Sequence, residues 1–318
     1  MKPINISDAV FFVAPNGEDT ATGAESQPFA TLTRARDAVR EQMKTEPGKG
    51  CTVLFREGTY RFTDTVVFAL QDSASDGQTN TYASYPGETA VFSAGVPIPS
   101  RTWRKLDEEP PHLPEKARGH VWIADIPKAA ESDIPVFSLF EGPEILPRAR
   151  GASFNLVAEN LGRNDETRLD SMKVPPGVVQ SWPDLHTGEM VVIPRNPWTM
   201  SILPIKGYDE HTQVVTTKLP HSYPMGPNPH VEENIWLENV LAVLDTPGEW
   251  VYDGNGRIYY WPKTGQPSDR IEYAALTEMV RIEGAIKYDE LEDTPVRGIR
   301  FSGITFTHTE RFQWYGRT

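Results

Sequence analysis

The side chains with the most chemistry to offer are three carboxylates and a late cluster of basic and aromatic residues. Glu283 in RIEGA, Glu310 in HTERF and Glu249 in PGEW stand beside short apolar segments. Two carboxyls held about 5–5.5 Å or 6.5–9.5 Å apart can act as acid and nucleophile, or acid and base, on an acetal bond. Glu283 and Glu310 fall on successive strand-like segments and form the candidate catalytic pair. The plainer reading of each is a solvated strand or corner residue. Glu249 precedes a hairpin strand and reads as a structural hydrogen-bond acceptor. His308, Arg311, Trp314 and Tyr315 lie within eight residues of one another. Aromatic faces stack on C–H groups and a guanidinium binds hydroxyls or a carboxylate, so this cluster is a candidate sugar-binding site. The same side chains could instead pack against neighbouring structure. Arg148 and Arg150 in LPRARG make a second basic spot. It faces an anionic ligand or stands in a solvated loop, and Arg150 joins the candidate binding residues.

Other chemistries find little support. The seven histidines are scattered, with no HxH or HExxH, and no metal site is expected. There is no GxSxG elbow, phosphate-binding loop or dinucleotide fingerprint. The runs Asn16–Asp19 and Asp253–Gly256 could offer oxygens to calcium, but both read first as turns. No cofactor is expected, with calcium the one cation left open. A formal net charge of -13 and scattered basic residues argue against nucleic acid as a partner. No apolar run is long enough for a membrane helix, so no membrane partner is expected. The opening MKPINISDAV lacks the apolar stretch of a signal peptide. A single cysteine, Cys51, excludes an intramolecular disulfide and, within CTVLF, reads as a buried strand residue.

The elements that must position these groups are short. The 28 prolines and 24 glycines predict many turns and brief strands. One segment reads as helix: in TLTRARDAVREQMK, Leu32, Ala35, Val39 and Met43 share one face. Thr31 or Thr33 can cap its start, and Pro47-Gly48 ends it. Then CTVLF, TYRF, TVVFAL, NTYASYP and AVFSAG alternate with corners at Arg56–Gly58, Asp76-Gly77 and Pro86-Gly87. Short strands joined by such corners suit a parallel β-helix, in which each coil is three strands. Residues 100–270 differ: they hold most of the prolines and seven of the eight tryptophans. GHVWIADIP, FSLFEG, EMVVIP and HTQVVTTKL read as antiparallel strands, and EWVYDGNGRIYYWP as a hairpin, giving an inserted β-sandwich. Coil-like texture returns at 271–318. There Val280, Ile282, Gly284 and Ile299, Phe301, Gly303 repeat one pattern 19 residues apart, the spacing expected of one coil.

FFVAPNGEDTATGAESQPFATLTRARDAV, REGTYRF, TYASYPGETAVFSAG and ENVLAVLDTPGEWVYDGNGRIYYWP resemble bacterial right-handed parallel β-helix carbohydrate-active proteins. The resemblance is closest to glycoside hydrolase family 141. LDTPGEW followed by RIYYWP, together with GIRFSGITFTH, carries the narrower part of it. It implies an all-β fold: a right-handed parallel β-helix with a short N-terminal capping helix, residues 1–99 forming the cap and first coils and 100–270 the inserted antiparallel sandwich. It also implies a polysaccharide-degrading glycoside hydrolase, a poly- or oligosaccharide partner and an extracellular or periplasmic location. Family members continue for several hundred residues beyond GITFTH, where the catalytic carboxylates lie. The chain is therefore expected to be an N-terminal portion, inactive alone, whose missing half is a separate chain or is replaced by a homo-oligomer. A polysaccharide lyase or epimerase on the same scaffold and a non-catalytic glycan-binding module are the alternatives.

Overall fold

The computed structural model describes residues 6–157, 170–193, 199–221, 233–289 and 292–312. These are mostly β with few helices, and their sheets are mixed, some parallel and some antiparallel. The chain divides into two compact units: Met1–Val96 with Ala274–Glu310, and Pro97–Tyr273 with Arg311–Thr318. No helix among the described residues is long and apolar enough to cross a membrane.

The first unit is built from parallel ladders. Its strands are β1 (Ala9–Val13), β2 (Thr52–Phe55), β3 (Gly58–Arg61), β4 (Val66–Phe68), β5 (Asn80–Ser84), β6 (Ala90–Ser93), β7 (Val280–Ile282), β8 (Ile299–Ser302) and β9 (Ile304–Thr307). One sheet runs β1-β2-β5-β8, a second β3-β6-β9 and a third β4-β7, and every pairing in them is parallel. The chain therefore visits the sheets in one order, β2-β3-β4, then β5-β6-β7, then β8-β9. Parallel pairing in register places like side chains over one another. Tyr60 sits opposite Phe92 and Phe92 opposite Phe306. Their rings meet edge to face, 5.7 Å and 5.3 Å apart. Val53, Tyr82 and Phe301 form a second such column.

Gly58 shows why the first corner needs glycine: its φ is +136° and an added Cβ would lie 2.6 Å from Pro15. Arg56 beside it forks onto Glu88, with Nη2 to Oε1 at 2.7 Å, and Glu57 N donates to Glu88 Oε2 at 2.7 Å. The corner is thereby tied to the next one.

The helix α1 (Leu32–Thr45) starts at Thr31, whose Oγ1 accepts from Arg34 N at 3.1 Å. It buries Leu32, Ala35, Ala38 and Val39 in the same core as Val13, Phe55 and Phe92. Its polar side is also anchored. Arg40 forks onto buried Asp72, Nε to Oδ1 and Nη2 to Oδ2, both at 2.7 Å. Cys51 is buried, and burial pushes its thiol above the ordinary value.

One expectation needs correcting. The segments around Gly284 and Gly303 do not repeat one coil position. β7 pairs with β4, whereas β8 pairs with β5, so they belong to different sheets. The repeat that stacks is 29 residues long at first, as Val53 facing Tyr82 shows. An apolar alternation closed by glycine marks any strand before a corner; it does not say which sheet receives the strand.

The strand ladders described next in the second unit are antiparallel, with one isolated parallel bridge between Arg148 and Trp250. A five-stranded sheet runs in the order Ser171–Lys173, Val214–Thr217, Ser201–Asp209, Glu189–Val192, Ile235–Glu238. It covers a core that includes Met172, Met190, Ile205, Val215 and Leu237. A second sheet holds the hairpin Trp250–Tyr252 and Arg257–Tyr260, then Trp122–Asp125 and Arg104–Lys105. Asn239 stitches them, in the left-handed region at φ 63°. Its amide donates to Thr187 O and Tyr252 O and accepts from Tyr252 N, all at 2.9 Å.

Phe92 is fully buried and touches the rings of Phe55, Tyr60, Phe62 and Phe306. Phe92→Ala is expected to cost the first unit about 3–5 kcal/mol, read from the midpoint of denaturant unfolding. A loss near zero would mean the aromatic column is not what holds the ladders.

Candidate functional site

The second unit holds a cavity beside a buried charge cluster. The cavity, of about 360 Å³, is lined by Val136, Phe137, Arg148, Glu189, Lys218 and Tyr252 among others. That volume falls within the about 300–1,000 Å³ of small-molecule sites. Glu189 opens a strand whose four residues are all buried. Its carboxylate is only 3% exposed and takes two guanidiniums, those of Arg148 and Arg311, both on Oε2. Arg148 Nη1 also lies 3.5 Å from Glu238 Oε2. Phe137 lies against both arginines: Arg311 stands 3.9 Å over its ring centroid and Arg148 5.6 Å. Buried charges survive only when paired, and this cluster pairs two carboxylates with two arginines.

The candidate residues from the sequence are distributed between the units. His308, with φ 59°, is in the first unit, where its Nδ1 meets Ser93 Oγ at 2.9 Å. Glu310 is also there, 4% exposed, with its N–H donating to Leu276 O at 2.7 Å. Glu283 follows β7; its N–H bonds Phe68 O at 2.8 Å and its exposed carboxylate pairs with Arg281 at 2.6 Å. Arg311 belongs to the second unit and bonds Glu189. Trp314 and Tyr315 lie outside the described residues.

Arg150 is exposed, stands 3.9 Å over the Trp236 ring centroid and donates to Ser153 Oγ at 3.0 Å. The Trp236 indole donates in turn to Glu238 Oε1 at 2.7 Å. Glu189, Glu238 and Phe137 went unnoticed in the sequence. The available signal was a glutamate opening the apolar run EMVVI, a place where a charge needs a partner.

Glu249 behaves as a structural acceptor. Oε2 accepts from Asp245 N and Thr246 N, both at 3.0 Å, and Oε1 from Arg150 N at 3.3 Å. Burial pushes its carboxyl above the usual carboxylate range, against the downward pull of those three N–H groups. The turns considered for calcium have carboxylates occupied by backbone. Asp19 Oδ1 accepts from Ala30 N at 2.9 Å and Thr31 N at 3.0 Å, and Asp253 Oδ1 from Asn255 N at 2.8 Å and Arg257 N at 2.9 Å. No cluster of three or more His, Cys, Asp or Glu side chains suited to a metal occurs among the described residues.

Residues 119–263 match the model of the GH141 insertion domain. The fold of the chain resembles a solved structure described as "Glycoside hydrolase", with a TM-score of 0.67 and 22% identity, over 94% of this chain and 50% of that one. The chain thus spans about half the length of that structure. A second, "The complex structure of XylC with xylose", shares 18% identity over 94% of this chain and 35% of its own, at a TM-score of 0.41. No curated protein sequence matches the chain. The matched insertion domain and the shared fold put the chain close to glycoside hydrolase family 141.

Glu249→Ala would leave three backbone N–H groups without their acceptor. We expect a loss of about 1–3 kcal/mol in the stability of the second unit, measured by denaturant titration of tryptophan fluorescence. An unchanged midpoint would show that Glu249 is not a structural acceptor.

Proposed function

We propose that this glycoside hydrolase-like chain is the N-terminal part of a polysaccharide-degrading enzyme built on a right-handed parallel β-helix with an inserted sandwich. The observation that carries the reading is a gradient of exposure along the register columns. Tyr60 is 6% exposed and Phe92 0%, but Phe306 is 45% exposed. Likewise Phe68 is fully buried, and Ile282, its partner in register, is 54% exposed. Each column is dry until its last member. A parallel edge with apolar side chains standing over it is the surface on which further coils stack. In this reading the catalytic carboxylates come from those coils, and the partner is a poly- or oligosaccharide held beside them. The two candidate carboxylates fit a supporting role: Glu283 is exposed and shares Arg281 with Glu278, and Glu310 is buried.

The test compares the 318-residue chain with a version extended by the downstream coding sequence, on polysaccharides and aryl-glycosides. The extended protein is expected to release reducing sugar, and the shorter chain to release none. Turnover by the shorter chain that vanishes in Glu283→Gln or Glu310→Gln would overturn the reading. Release of unsaturated, ultraviolet-absorbing ends by the extended protein would replace hydrolysis with a lyase.

A further inference from the structure

We propose that the cavity of the second unit binds one sugar residue of a neutral oligosaccharide, its hydroxyls donating to His186, Asp253 and Asn255 and accepting from Lys218. These four residues line the cavity, and none of them is buried. Each keeps a polar atom that no group among the described residues takes up. His186 Nδ1 lies 3.1 Å from Pro183 O. A carbonyl only accepts, so Nδ1 carries the proton, and Nε2 of the neutral ring is left as an acceptor. Asp253 Oδ1 accepts from Asn255 N and Arg257 N, which leaves Oδ2. Asn255 donates from its backbone and its amide to Asp253 and keeps Oδ1. Lys218 is exposed, and its Nζ enters no ion pair.

The balance of charge favours a neutral ligand. On the wall, Arg148 and Lys218 are matched by Glu189 and Asp253. Behind them, Arg311 and Glu238 add one charge of each sign. With no net charge to draw it in, an ion gains little there. Hydroxyls donate and accept at once, and so fit three acceptors and one donor. Val136, Phe137 and Pro204 give apolar wall for the C–H faces of a pyranose. The polar groups are also held in place. The Asn239 amide bonds Thr187 O and Tyr252 O, tying the residue after His186 to the residue before Asp253. A Cβ on Gly254 would lie 3.6 Å from the Thr187 methyl, and Ile126 N holds the far side of the turn through Gly256 O at 2.6 Å. A site assembled in advance loses little binding energy to ordering.

The inference rests on the chain being carbohydrate-active, and it is tested without turnover. Xylotriose, cellotriose, mannotriose, galactotriose and trigalacturonate are titrated into the whole chain by calorimetry. At least one neutral trimer is expected to bind with a Kd below about 1 mM, and added salt should leave that affinity unchanged. Trigalacturonate should bind no more tightly than galactotriose, which shares its ring. Asp253→Asn keeps the acceptor that holds the turn and replaces Oδ2 by a donor. It and Lys218→Ala should each weaken binding by about 10-fold, with little change in the unfolding midpoint.

Should Asp253→Asn unfold, two variants at exposed wall positions decide the matter: Lys218→Ala should weaken binding, and Ala130→Trp should block the cavity. No binding of any neutral trimer at about 1 mM, tighter binding of trigalacturonate than of galactotriose, or affinity unmoved by these variants would each overturn the proposal. A neutral-glycan site in a protein whose extended form hydrolyses nothing would sink the enzyme reading alone. An extended protein that hydrolyses polysaccharide while the cavity takes no neutral trimer would sink this one alone.

Discussion

In the first unit, almost everything follows from parallel strands stacking in register. A parallel ladder gives each residue the same neighbour type above and below, so a column such as Tyr60–Phe92–Phe306 packs only if every pass supplies a large apolar side chain at one position. That requirement sets corner geometry. A corner must turn within two or three residues to keep the next strand in step, hence glycine at position 58, where Pro15 leaves no room for a Cβ. It also explains how a long inserted unit is tolerated. Between β6 and β7 the chain passes through residues 97–273 of the second unit, yet Val280 still returns opposite Val66. Loop-closure entropy grows only slowly with length, so a folded insertion at one corner need not disturb the register around it.

The second unit is organised differently, by buried polar groups bonded to particular partners. Asn239 accepts the strain of a left-handed backbone and in return bonds three backbone groups from two segments. Glu249 collects three N–H groups at once. Glu189 pairs with two arginines beside an aromatic ring. An apolar core tolerates many rearrangements, but a buried carboxylate is stable only where its donors stand. Such groups select one packing at some expense in stability.

Local features were legible in the sequence and distant pairings were not. Helix α1 could be read because Leu32, Ala35 and Val39 recur at the helical period after a threonine able to cap. The aromatic hairpin at Asp253–Gly256 was legible from its turn residues, and Glu249 from its place before it. The partnership of β7 with β4 was not, since alternation specifies a strand and leaves its neighbour open. The cluster around Glu189 was equally hidden. Arg148 lies 41 positions before Glu189 and Arg311 lies 122 after it, and no local pattern joins them. Of that cluster, only the arginines had been marked, as members of two separate basic spots.

The edge formed by β8 and β9 extends the stacking argument to its end. Natural sheets protect an edge with charge, proline, a bulge or a covering segment, because exposed strand edges recruit other strands. β8 offers one charge, Arg300, and β9 offers none, while Phe306 stands 45% exposed and Ile299 and Phe301 are only partly covered. Arg300 itself has a buried Nε without a partner. An edge with apolar columns in register and so little to repel a neighbour has the physics of an interior layer. It accepts one more parallel strand in each sheet without any change to the strands already in place. In that respect the columns through Phe301 and Phe306 differ from Tyr60 and Phe92, which are already covered on both sides.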